Sequence, residues 1–220
     1  MYLRATHKLR MHKKPYQGQV NDKERSKQKL IEAVGMVIKE KGYTGLTASS
    51  ISRAAGLDRR LITLYFGSID TLIETYVRSN DYWIATSDAD VVGKNSKPAC
   101  TKEMLNSLLQ NQLEYFLHDE EMQKIILWQI SQSTQLMKEV SEEREKVSQH
   151  FFALADRELK ENDIDLRAIT ALLVAGIYYL VLYSKSTDCK ICEIDLKTPE
   201  GMERIKKAIT AILEKVYASK

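Results

Sequence analysis

Glycine and proline are scarce in this 220-residue chain, at nine and three residues. So few breakers exclude a fold of many short strands joined by tight turns. Cysteine is scarcer than a disulfide framework needs: Cys100, Cys189 and Cys192 are an odd set that suits a reducing compartment. There is no HExxH, no phosphate-binding loop and no dinucleotide-binding glycine pattern. The four histidines, His7, His12, His118 and His150, are scattered, and none joins a nucleophile and an acid in a recognisable set. The sequence therefore reads as a non-enzyme, with no cofactor and no metal. The first residues carry Arg4, Lys8 and Arg10 where a secretory signal would be apolar. The longest apolar run, between Arg167 and Lys185, is interrupted by Thr170, Gly176 and three tyrosines. It sits at the short limit of the about 20 residues a bilayer requires, and reads as a helix buried on all sides in a bundle. A cytoplasmic, soluble protein is expected.

What is present is ordinary in bulk and uneven in detail. An apolar fraction of 44% and a charged fraction of 29% suit a folded globular chain. The net charge of +3 conceals a division. Residues 1–80 hold 15 Lys and Arg against 7 Asp and Glu, a net +8, while residues 81–220 hold 18 against 23, a net −5. A basic end joined to an acidic body points the first toward a polyanion and keeps the second away from it.

Helical periodicity runs through nearly the whole chain, and no segment sustains period-two alternation, so the expected class is all-α. Residues 1–20 hold Arg4, Lys8, Arg10, Lys13 and Lys14 without an acid and read as a basic arm, flexible in isolation. It is either a solvated tail or an arm for a DNA backbone. Leu30, Ile31, Val34, Val37 and Ile38 mark a helix over 22–41, stopped by Gly42. Thr47 caps a short helix to Ala54, Gly56 breaks the chain, and Asp58 caps a second over 59–66. Ser68 caps a fourth, through Leu72, Ile73, Tyr76 and Val77, and 86–99 is loop by composition. Helices are expected over 101–117, 120–132, 134–161, 165–184 and 199–217. The expected division is an arm (1–20), a DNA-binding domain (21–67) and a helical ligand-binding and dimerisation domain (68–220).

Two short helices joined by a glycine turn, behind a longer helix, form the plan of a helix-turn-helix. Ala54, Ala55 and Gly56 are small where helices cross, and Ile51, Leu57, Ile62 and Phe66 supply the inner face. Arg59 and Arg60 open the second short helix, the end that a recognition helix presents to base edges. Thr47, Ser49 and Ser50 open the first, where hydroxyls and free N–H groups take phosphate. Taken singly, the arginines are ordinary surface and the hydroxyls ordinary caps.

The stretch from Lys27 to Val77 resembles the N-terminal DNA-binding region of the TetR family of bacterial regulators. The matching residues are Ala33, Ile38, the run Lys41-Gly42-Tyr43-Thr44-Gly45-Leu46-Thr47, then Ile51, Ala54, Ala55, Gly56, Leu57, Phe66-Gly67-Ser68 and Leu72. The resemblance implies an operator-binding homodimer relieved by a small-molecule effector. The expected DNA contacts are Thr47, Ser49, Ser50, Arg59, Arg60, Thr63, Leu64 and Tyr65. Thr63 stands where the family usually has Tyr, and Ile69 where it usually has Lys. Both changes remove phosphate contacts, so two readings stand. One is a regulator whose basic arm, with Lys23, Arg25, Lys27 and Lys29, supplies the missing charge on a pseudo-palindromic operator. The other is a TetR-like fold that has lost DNA and binds an apolar ligand or protein partner.

Met202, Ile205, Ile209, Ile212 and Val216 form a 3,4-spaced seam suited to helix-on-helix packing. By the resemblance, Leu173, Ile177, Leu180, Ile205, Ile209, Ile212 and Val216 face a second copy. Leu108, Gln112, Tyr115, Phe116, Trp128, His150, Phe151 and Tyr178 are the expected ligand lining, although aromatics at this spacing also make plain core. Cys189 and Cys192 read as free loop thiols, a lone CxxC lacking the second pair of a structural zinc site. His118 beside Asp119 and Glu121 reads as an exposed helix end.

Overall fold

The computed structural model describes residues 18–84, 100–159 and 164–218, with residues 18–21 as backbone only. Most of the basic arm, His7, His12 and the expected loop over 86–99 lie outside the described residues. Helices dominate: α1 (Gly18–Lys41), α2 (Ala48–Ala55), α3 (Arg60–Phe66), α4 (Ile69–Ser79), α5 (Thr101–His118), α6 (Glu120–Ser131), α7 (Gln135–Glu158), α8 (Leu166–Thr187) and α9 (Pro199–Ala218). Among the described residues there is no strand, only an isolated bridge between Ile191 and Ile194.

Local chemistry sets the boundaries. A 3-10 turn over Tyr43–Gly45, absent from the sequence reading, follows Gly42 at φ 67°. Helix α2 starts in a capping box: Thr47 Oγ1 accepts from the Ser50 N–H and Ser50 Oγ accepts from the Thr47 N–H, each at 3.1 Å. It ends at Gly56, left-handed at φ 65°, with Gly56 N–H donating to Arg53 O and Leu57 N–H to Ser52 O. That Schellman pattern needs a residue free of a Cβ penalty. Helix α1 begins four residues before the expected start, inside the segment assigned to the arm.

α2 and α4 pack on α1, and α3 packs on α4. Leu30, Ala33, Val34, Val37 and Ile38 of α1 meet Ile51, Ile62, Leu72, Tyr76 and Val77 in one buried cluster. In the body, α5 is the central helix and touches α6, α7, α8 and α9. Its Leu105, Leu109, Leu113 and Phe116 are buried with Ile125 and Ile126 of α6, Ile177 and Val181 of α8, and Ile209 and Leu213 of α9.

α8 corrects one expectation. It is long and apolar enough to pass for a membrane span, yet only 17% of its most apolar 18-residue stretch is buried. The helix expected to be enclosed on all sides is enclosed on one. Leu172 (74% exposed) and Tyr179 (59%) point outward, because α5 covers only the face that bears Ile177 and Val181.

The α8–α9 connection is held by an Asp188–Lys197 ion pair and by a two-residue turn with Cys192 and Glu193 left-handed. Buried Leu196 anchors it. Gly201, in the first turn of α9, lies so near the Asp195 carbonyl that a Cβ would overlap its oxygen and carbon. Backbone atoms cannot swing aside as a side-chain tip can. Gly201→Ala is expected to cost about 1–3 kcal/mol of unfolding free energy by overpacking, read as a lower urea midpoint with unchanged slope.

Candidate DNA-binding surface and body core

The outer surface of the helix-turn-helix is the face of α3. Seven residues give two turns, and the i, i+3, i+4, i+7 row of Arg60, Thr63, Leu64 and Gly67 is exposed. Ile62 is buried, while Leu61, Tyr65 and Phe66 are half-buried against the core. Asp58 Oδ1 accepts from the Arg60 N–H at 2.8 Å, fixing the start of the helix without burying the guanidinium. Arg59 and Arg60 are exposed, as is Arg53 at the end of α2. Arg53 was not expected as a contact, although its place in the last turn before Gly56 puts it beside the two arginines in sequence.

The eight expected DNA residues fall into two groups. Arg59, Arg60, Thr63, Leu64, Thr47 and Ser49 are exposed. Ser50 is half-buried, its hydroxyl held by Thr47 and by Gly45 O, so it braces the turn. Tyr65 lies half-buried against the core. Ile69, where a Lys was the family expectation, opens α4 and packs on the same core.

Polar and aromatic contacts tie this unit to the body, most of them through α6. Lys39 of α1 pairs with Glu120 at 3.2 Å. The Tyr76 hydroxyl donates to Glu121, and Tyr43 stacks on Trp128 with ring centroids 5.6 Å apart and planes 6° from parallel. Gly35 leaves room for the second of these contacts: a Cβ there would meet Glu121 Oε2 and the Tyr76 hydroxyl at 2.5 Å. Burial, then the neighbouring Glu121, holds the Tyr76 hydroxyl well above the ordinary tyrosine range, so it is a donor at neutral pH.

The end of α4 is locked to α7. Arg78 pairs with Glu74 at 2.9 Å, with Glu139 at 3.6 Å and with Glu143. Asp81, 0% exposed, accepts from Arg144 Nε at 2.8 Å and from Arg144 Nη2, and also from the N–H groups of Trp83 and Ile84 at 3.1 and 3.2 Å. Arg144 Nη1 donates to Gln129 Oε1 at 2.7 Å. No local spacing announces this network, since its partners lie 63 residues apart.

The residues expected to line a ligand site divide. Phe116 packs edge-on to Tyr178 at 4.8 Å, Tyr82 tilts against Tyr115 at 5.2 Å, and Trp83 Nε1 donates to the Tyr178 hydroxyl at 3.0 Å. Burial raises the Tyr178 and Tyr115 hydroxyls and pushes Tyr82 up to about 12. Gln112 is buried beside Tyr178, yet neither its oxygen nor its nitrogen reaches a partner in hydrogen-bonding geometry. Leu108 and Phe151 are half-buried. His150 is exposed on α7 and lines no core, and Trp128 stacks on Tyr43 at the joint with the helix-turn-helix. A cleft of about 570 Å³ opens beside that joint between Lys39, Glu114, Tyr115, His118 and Glu121, and a groove of about 300 Å³ lies between α5 and α9.

The expected dimer residues divide likewise. Ile177, Ile209 and Val216 are buried within the chain's own core, leaving nothing of them for a partner. Leu173, Leu180 and Ile205 are half-buried and Ile212 is exposed. Cys100, Cys189 and Cys192 are free and exposed. Among the described residues no group of three His, Cys, Asp or Glu side chains is arranged to hold a metal.

Comparison with known proteins agrees with this geometry. The family profile of the bacterial regulatory proteins, tetR family, matches residues 30–76. Among solved structures, the chain is similar to the transcriptional regulator FadR from Bacillus subtilis in complex with stearoyl-CoA. The TM-score is 0.62 at 18% identity, covering 84% of this chain and 96% of that one. It is similar also to the fatty acid degradation regulator FadR from Bacillus halodurans, with TM-score 0.59 at 18% identity over 89% and 97% of the two chains. A third is NalD, the secondary repressor of the MexAB-OprM multidrug efflux pump in Pseudomonas aeruginosa. Its TM-score is 0.59 at 18% identity over 86% and 97%. At such identities the likeness is one of fold. No curated protein matches the chain at a significant level.

The Asp81–Arg144 pair yields a stability test. Arg144→Leu leaves a buried carboxylate without its cation and is expected to cost about 3–5 kcal/mol. Adding Asp81→Asn removes the stranded charge, keeps an acceptor for the Trp83 and Ile84 amides, and should restore most of the loss. Urea unfolding of both variants checks this; equal stability of the single and double variants would contradict it.

Proposed function

We propose that this chain, whose residues 30–76 belong to the tetR family of bacterial regulatory proteins, is a cytoplasmic, homodimeric DNA-binding transcriptional regulator. In this reading residues 21–67 bind DNA and residues 68–220 bind the effector and form the dimer. The regulator is a repressor released when a small molecule occupies the body. The observation that carries the reading is the solvent-facing row Arg60, Thr63 and Leu64 on α3, flanked by exposed Arg59 and Arg53 and seated on a rigid helix-turn-helix.

Arg59 and Arg60 are the base-reading cations: guanidinium binds guanine O6 and N7 bidentately, and each such contact contributes roughly 1–3 kcal/mol of discrimination. Thr47 and Ser49, at the start of α2, meet phosphates. The outward face of α8, with Leu172 and Tyr179, is the dimer surface, together with Ile212 of α9. An apolar helix face of this size is unlike ordinary monomer surface. Two-fold pairing sets the two α3 helices on half-sites about one DNA turn apart, 34–36 Å.

The effector is a largely apolar small molecule. The Bacillus subtilis relative was solved with stearoyl-CoA, and in this chain Tyr115, Phe116 and Tyr178 form an aromatic wall beside the buried Gln112 amide, which lies near the Tyr178 hydroxyl without a well-aligned hydrogen bond. A polar group on the ligand would satisfy that amide. Release is a coupling free energy between sites. The α6 contacts reach Lys39 and Tyr43 of the DNA-binding unit and Tyr76 of α4, which packs on α1 and α3, so a ligand that binds one α6 position better biases the orientation of α3.

Selection of bound fragments from a random duplex pool, followed by binding measured against salt, tests the reading. A recovered pseudo-palindrome with affinity falling steeply with salt supports it. No recovered sequence and no salt slope would favour the reading in which the fold has lost DNA, the direction in which Thr63 and Ile69 point. Arg59→Ala with Arg60→Ala is expected to reduce operator affinity at least a hundredfold while sedimentation still shows a dimer. Leu172→Asp with Tyr179→Asp is expected to do the reverse at the oligomer level. The chain should then sediment as a monomer at micromolar concentration with its helical circular dichroism unchanged.

A further inference from the structure

The outward row of α3 has an unusual composition for a helix that reads DNA by hydrogen bonds alone. Arg60 is its only cation, Thr63 carries one hydroxyl and one methyl, and Leu64 carries no polar atom and is 71% exposed. The inward residues Leu61, Ile62, Tyr65 and Phe66 already account for the apolar packing of this helix, so Leu64 adds nothing to the fold.

Resting on the operator-binding reading above, we propose that Leu64 is a specificity-determining residue that reads the 5-methyl group of a thymine in the major groove, with the Thr63 methyl beside it. The chemistry narrows the choice. Every base presents polar atoms at its major-groove edge, and thymine alone adds a methyl group there, where cytosine has only a C5–H. A leucine that wedges between base pairs belongs to minor-groove binders that bend DNA, and a two-turn helix flanked by arginines is shaped for the major groove. The α-helical rise of 1.5 Å per residue puts Leu64 about 6 Å beyond Arg60 along the axis. With about 3.4 Å per base step, the thymine falls within about two steps of the guanine that Arg60 binds. Each operator half-site should therefore contain a guanine and a thymine no more than two steps apart, the thymine specified by its methyl and by nothing else on its edge.

Uracil in place of thymine removes that methyl and leaves base pairing intact, so it isolates the contact. The full-length protein is used to select an operator from a random duplex pool. Each thymine of one half-site is then replaced singly by uracil, and dissociation constants are measured for the wild type and for Leu64→Ala. At one thymine, within two steps of the guanine, the wild type should lose about four-fold in affinity, the effect of one buried methyl. Leu64→Ala should bind the thymine and uracil duplexes within a factor of two. Circular dichroism confirms that the variant is folded, as an exposed side chain allows. If the wild type tolerates uracil everywhere, if the half-site has no thymine near the guanine, or if Leu64→Ala keeps the full penalty, the assignment of Leu64 is overturned while the operator-binding reading survives. A pool that yields no sequence overturns both.

Discussion

A carboxylate with no access to water has to be met by the protein itself, and Asp81 is one: fully buried, just past the end of α4. Arg144 from α7 and the backbone amides of Trp83 and Ile84 meet it. Ionised groups at such a depth are costly unless every lone pair finds a donor. The position of α4 relative to α7 is thereby dictated by charge as well as by shape. Because α4 is also part of the helix-turn-helix core through Leu72, Tyr76 and Val77, this ion pair, with the Arg78 pairs to Glu139 and Glu143, holds that core against α7. The α6 contacts with Lys39, Tyr43 and Tyr76 add to that hold.

The helix-turn-helix is held internally by a continuous apolar cluster and capped turns. Its attachments to the body combine apolar packing of α1 on α6 with polar contacts: Lys39–Glu120 at the surface, Tyr76–Glu121, the Arg78 pairs with Glu139 and Glu143, Asp81–Arg144, and one aromatic stack. Apolar packing resists small displacements everywhere, whereas polar contacts are directional and can exchange one partner for another.

The periodic features of this architecture were legible in the sequence. Helix existence followed from 3.6-residue periodicity, and the boundaries at Thr47, Gly56 and Ser68 followed from caps whose geometry is local. Features made by distant residues were not legible. Nothing near Asp81 names Arg144, and nothing near Gly35 reveals that Tyr76 and Glu121 converge on it. The division of Ile177 inward and Leu172 outward could not be read either, because a nearly all-apolar helix carries no periodic contrast to show which side meets its own core. The same limit explains why Trp128 was grouped with Tyr178, whereas for His150, exposed on α7, the expectation of burial itself failed. An aromatic residue at helical spacing reports burial, not the neighbour against which it is buried.

The two tryptophans occupy places that give the chain its own optical probe. Trp128 lies against Tyr43 where the DNA-binding unit meets α6, and Trp83 donates to Tyr178 in the aromatic wall of the body. With no other indole in the sequence, ultraviolet emission separates into one signal from the joint and one from the interior. Replacing either tryptophan by phenylalanine isolates the other, so events inside the body and displacement at the joint can be timed separately on unlabelled protein.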